Sequence, residues 1–77
     1  MFIFADQHAY EDILLQQNND PTLDGLVIEK VEVIESLFER LTSLPPDADV
    51  IVFWEGKGYK GDNVTVAAKI ATELGLL

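Results

Sequence analysis

A chain of 77 residues, 48 % hydrophobic and 25 % charged, holds one small domain with a limited core, and these proportions argue against disorder. Without cysteine it has no disulfide staple, no thiolate ligand and no thiol nucleophile, which suits a reducing, cytoplasmic setting. Fourteen acids against five bases give a net charge of −9, and twelve of the acids fall in residues 1–55 beside only Lys30 and Arg40. Such a field repels nucleic acid and anionic lipid and speeds encounter with basic surfaces, so no direct nucleic-acid contact and no membrane partner are expected. The opening run from Met1 to Asp6 is too short for a signal peptide, and no stretch reaches membrane-spanning length.

Met1 to Ala5, rich in Phe and Ile, reads as a first strand. Asp6 can cap a helix, and Ala9, Tyr10, Ile13 and Leu14 recur at helical spacing, which predicts a first helix from Gln7 to Gln17. Asn18-Asn19-Asp20-Pro21 ends it with turn formers and a proline. Val27, Val31, Ile34, Phe38 and Leu41 then step by four, three, four and three, predicting a second helix over 27–41 with this row toward the core. The β-branched residues at 27–34 leave a strand as the alternative there, but the period outweighs propensity. On such a helix Glu32, Glu35 and Glu39 share the far side as an acidic stripe, either a solvated face or a docking surface for a basic partner.

Ser43 to Asp49, with Pro45 and Pro46, is a stiff connector. The unbroken apolar run from Val50 to Trp54 fits a strand packed on both faces. Gly56, Gly58 and Gly61 read as a glycine loop leading into a third helix from Val64 to Leu74, capped by Asp62 or Asn63. Ala67, Ala68, Ala71 and Leu74 would form its small-residue face, and Gly75 falls where a helix-closing glycine belongs. The predicted order is β-α-α-β-α, a single α/β domain over 1–77 with a short parallel sheet packed by helices.

Gly56-Lys57-Gly58-Tyr59-Lys60-Gly61 has the end-to-end glycine spacing of a phosphate loop. Asp62 and Asn63 stand where that loop needs Lys and then Ser or Thr, and a carboxylate at the helix start would fill the anion site itself. The remaining readings are a glycine turn with a capping Asp, or a basic and aromatic rim of Trp54, Lys57, Tyr59 and Lys60 facing a ligand or partner. Trp54, ending the strand, suits either a binding site or the core. His8 lies far along the chain from Ser36 and Ser43, and no metal-ligating spacing occurs, so neither catalysis nor a cofactor is expected.

The stretch Ala48-Asp49-Val50-Ile51-Val52-Phe53-Trp54-Glu55-Gly56-Lys57, followed by glycines and by Ala71 and Gly75 four apart, resembles the SLOG superfamily of Rossmann-like nucleotide-ligand-binding domains. That resemblance covers about the last thirty residues and implies that Gly56 and Gly61 frame a phosphate-bearing ligand at a helix N-terminus. Phe38-Glu39, Thr42, Pro45, Asp49 and Ile51 are similar in spacing to nuclease-colicin immunity proteins, small acidic inhibitors. This second resemblance implies an all-helical fold in which Glu32, Glu35 and Asp49 supply the gripping acids.

The expectation is a non-catalytic acidic binding module that inhibits or regulates a protein with a basic, nucleic-acid-contacting surface. Glu32, Glu35, Glu39, Asp49 and Trp54 would form its interface. Two alternatives stand beside it: a ligand-binding domain using residues 56–61, and a homodimer that completes a two-stranded sheet at its open edges.

Overall fold

The computed structural model describes residues 1–23 and 27–76. Strand β1 (Phe2–Ala5) leads into helix α1 (Gln7–Asn19), and Asp6 between them accepts the Ala9 N–H at 2.9 Å, satisfying one of the helix's orphan donors. Asp20 closes α1, and its carboxylate accepts both the N–H and the hydroxyl of Thr22 to open a single 3-10 turn, Pro21–Leu23. There follow β2 (Ile28–Lys30), α2 (Ile34–Ser43), β3 (Asp49–Trp54), β4 (Lys57–Asp62) and α3 (Asn63–Glu73).

The strands form one mixed sheet in the order β2-β1-β3-β4. β1 is parallel to both β2 and β3, with Ile3 opposite Ile28 and Ile51, while β4 returns antiparallel to β3 with Tyr59 opposite Val52. The crossovers β1-α1-β2 and β2-α2-β3 travel in opposite directions across the sheet, so right-handed connections place α1 on one face and α2 on the other. On the α2 side, Phe4, Val50, Val52, Trp54 and Tyr59 of the sheet pack against Val31, Leu37, Leu41, Val66 and Ile70 as the core. On the α1 side Ile3 and Ala5 are buried, whereas Ile51 and Phe53 are only half-buried. α1 itself buries none of its residues completely.

Two junctions fix α3. Asp62 caps its start by accepting from the Thr65 N–H and hydroxyl. Asn63, buried behind it, donates its amide to the Leu41 carbonyl at 2.7 Å and the Leu44 carbonyl at 3.4 Å, so α3 satisfies carbonyls that α2 leaves orphaned at its end. At the other end Leu76 N–H bonds the Ala71 carbonyl and Gly75 N–H the Thr72 carbonyl, with Gly75 at φ 73°. This is the Schellman closure its sequence position predicted.

The α/β class, β1, the Asp6 cap, β3 and the Asp62 cap agree with the sequence reading, and four expectations change. The second helix starts at Ile34 rather than 27, because residues 28–30 gain ladder bonds to β1 as a strand and Val31 N–H extends the ladder to the Ala5 carbonyl. The order is therefore β-α-β-α-β-β-α, and the expected short parallel sheet of two strands is a mixed one of four. The expected glycine loop is a hairpin. Glu55 (φ 50°) and Gly56 (φ 80°) make a two-residue turn of the left-handed kind that matches strand twist, and 57–62 run back as β4. On α3 the buried face is Asn63, Val66, Ile70 and Ala71, while Ala68 and Leu74 are exposed.

Candidate functional site

The three glutamates of the predicted stripe do not share one helix face. Glu35 and Glu39 lie one turn apart on exposed positions of α2, and Glu35 in the first turn also complements the helix dipole where Val33 gives no side-chain cap. Glu32 precedes the helix in the β2-α2 connection and pairs with Lys30 at 3.8 Å. Asp49 is exposed at the start of β3, the end of the sheet opposite Glu32, a strand length of roughly 20 Å away. Trp54 is 8 % exposed and belongs to the core, so its indole ring is not a surface anchor. Its Nε1–H is buried and finds no acceptor among the described residues.

The stretch Gly56 to Gly61 offers no cradle for phosphate. Gly56 sits in the turn, Lys57, Gly58, Tyr59, Lys60 and Gly61 lie in an edge strand, and the N-terminus of α3 already holds the Asp62 carboxylate. Hydrogen bonds from the Thr65 N–H and hydroxyl keep that carboxyl below the usual carboxylate range, and so charged, where an anion would have to sit. Of the expected rim, Tyr59 is turned inward with its ring buried, while Lys57 and Lys60 stay exposed. The Tyr59 hydroxyl donates to Glu73, which also meets Lys57 at 3.9 Å. The bond to Glu73, burial, and the charges of Glu73 and Glu55 push the phenol up to about 12, so it stays protonated and donating.

His8 is exposed in the first turn of α1, and no group of three His, Asp or Glu side chains converges on a metal position among the described residues. Among those residues no helix is long and apolar enough to cross a membrane.

A concave region that the sequence reading missed opens at the N-terminal end of the sheet. Met1, Phe2, Ile3, Phe4, Val27, Glu29 and Arg40 line a cavity of about 390 Å³. It lies at the β2–β1 side of the α2 face, where Met1, Phe2 and Val27 stay exposed. Phe4 pairs with Glu29 on the α2 face, and by continuation of that register Phe2 neighbours Val27. Arg40 of α2 spans the gap, with Nε on Glu29 at 2.7 Å, Nη1 on the Ser43 hydroxyl at 3.1 Å and the guanidinium 6.0 Å from the Phe4 ring centre. Placing Val27 and Phe2 side by side needs the β2 register, which a helical reading of 27–41 removes. Comparison with protein-family models, curated proteins and solved structures gives no match to this chain.

Proposed function

We propose that this chain is a non-catalytic binding module whose acidic surface docks on a basic protein surface of the kind that contacts nucleic acid. One observation carries the reading. Glu11 and Asp12 on α1, Glu35 and Glu39 on α2, and Asp47 and Asp49 at the entrance to β3 are exposed, and none forms a salt bridge among the described residues. Carboxylates left unpaired at the surface of a chain of net charge −9 raise the encounter rate with a cationic surface and oppose nucleic acid directly.

The test captures proteins from a lysate on the immobilised chain at low ionic strength and elutes them with rising salt. Captured proteins that are basic, leave as salt rises and are displaced by duplex DNA support the reading. Reversing Glu35→Lys and Glu39→Lys together should weaken capture by roughly five- to tenfold. Retention indifferent to salt and unchanged in the doubly reversed variant overturns it.

A further inference from the structure

Strands β2 and β4 form the edges of the sheet, and β4 is the longer, 6 residues against 3. Its pairing with β3 decides which of its backbone groups face outward. A two-residue turn closes on a pair that exchanges backbone hydrogen bonds, here Trp54 with Lys57, and the same alternation recurs at the far end, where Asn63 N–H meets the Ala48 carbonyl at 3.0 Å. Between them the Phe53 carbonyl accepts from Asp6 N–H and so faces away from Gly58. Lys57, Tyr59 and Gly61 therefore bond to β3, while Gly58 and Lys60 direct their N–H and C=O groups out of the sheet. An edge of this kind is a template for another strand.

The sequence of the edge selects the occupant. In Lys57-Gly58-Tyr59-Lys60-Gly61, reflection about Tyr59 carries each lysine onto a glycine. A two-fold axis normal to the sheet keeps every side chain on its own face, so two copies of β4 meet only in registers centred on a residue. Centred on Lys60, that lysine would face its own copy, a like-charge pair. Centred on Gly58, the outward groups of Lys60 would fall beside Gly56 in the turn, and centred on Gly61 they would need the Asp62 carbonyl, which already starts α3. Centred on Tyr59, Gly58 faces Lys60 of the second copy, Lys57 faces Gly61, and both outward residues find partners.

This register also suits the α1 face of the sheet. Helix α1 packs over β1 and β2 and leaves β3 and β4 largely open. Phe53 is half-buried there, and its ring lies over Gly58, 3.7 Å from where a Cβ would stand. Lys60 of the second copy would cross that glycine and lay its stem and ammonium against the ring. Charge favours the same edge: residues 56–77 carry Lys57, Lys60 and Lys69 against Asp62 and Glu73, a net of +1, whereas residues 1–55 carry −10. Two such chains repel least along this strip.

We infer that two copies of the chain associate edge to edge through β4, antiparallel about Tyr59, so that their sheets join into one. The contact uses none of the carboxylates assigned to the docking surface above and stands independently of that reading.

Sedimentation equilibrium of the full chain over rising concentration, at low salt and at about 1 M salt, reads the association. The dimer should strengthen with salt as repulsion between the copies is screened, the opposite of the response expected for docking on a basic surface. Amide exchange should slow at Gly58 and Lys60 as concentration rises and stay unchanged along β2. Lys60→Pro removes an outward N–H that the ladder to β3 does not use, and should weaken the dimer by roughly a hundredfold, the bond being lost once in each copy. Gly58→Lys, at a glycine outside the left-handed region, sets lysine against lysine across the axis and should also weaken the dimer, while adding Lys60→Glu should restore it. A chain that stays monomeric at every concentration and salt overturns the inference. So does a dimer indifferent to Lys60→Pro or Gly58→Lys, or one that the double variant fails to recover. Each of these failures leaves the lysate-capture test of the acidic module untouched.

Discussion

Asn63 hands its amide protons to the Leu41 and Leu44 carbonyls from a position only 3 % exposed, so its loss strands acceptors that water does not readily reach. We expect Asn63→Ala to destabilise the chain by roughly 2 kcal/mol, read from the urea midpoint, and Asn63→Asp to cost more because a carboxylate would face those carbonyls. A measured loss below about 0.5 kcal/mol would mean that α2 and α3 are held together without this strut. Tyr59 makes a prediction in pH. Its folded value of about 12 lies above the 10.0 of a free tyrosine, so the stabilisation is complete below pH 10 and is lost as pH rises toward the folded value, where the unfolded chain ionises first. Tyr59→Phe should therefore be less stable than the parent at neutral pH, and the gap should narrow above pH 10. A gap constant across that window would show that Glu73 does not hold the phenol protonated.

At the scale of elements, the hairpin between β3 and β4 carries the clearest test. Glu55 adopts φ 50°, a left-handed conformation that costs a residue with an ordinary side chain about 1 kcal/mol, whereas asparagine tolerates it. Glu55→Asn should raise stability by roughly 0.5–1 kcal/mol while keeping the N–H bond to Asp6, and Gly56→Ala should lower it by a similar amount. Thermal melts of the two variants should shift in opposite directions. The same hairpin shows why part of the fold was hidden in the sequence. Local signals gave α1, α3 and β3, because Asp6, Asp62 and the run Val50–Trp54 act on their own neighbourhoods. β4 was hidden because Lys57-Gly58-Tyr59-Lys60-Gly61-Asp62 has almost no strand composition, and what makes it extended is the ladder to β3. The reverse error occurred at 28–31, where a chance helical period ran through residues that pairing with β1 holds as a strand. The acidic stripe inherited that error and lost Glu32. The apolar cavity depends wholly on which strands are neighbours, a long-range fact that no local pattern encodes.

For the whole molecule, net charge sets a test of self-repulsion. A net charge of −9 on a chain of 12.4 Å radius of gyration places like charges within one screening length of each other at low salt. Raising ionic strength from about 10 mM to about 150 mM shortens the Debye length from about 30 to about 8 Å, and the melting temperature should rise over that interval. A flat or falling response would mean that the few local pairs, Arg40–Glu29, Lys30–Glu32 and Lys57–Glu73, already outweigh the repulsion.

The place of β1 has a consequence for synthesis. Made before the other strands, it lies inside the sheet with β2 on one side and β3 on the other, and β3 is complete only at Trp54. While the chain emerges from a ribosome, the hydrophobic Phe-Ile-Phe segment therefore has no finished berth until the tryptophan has followed it out. Folding should therefore arrive late and nearly at once rather than piecemeal, because the central strand's two neighbours are completed at different times.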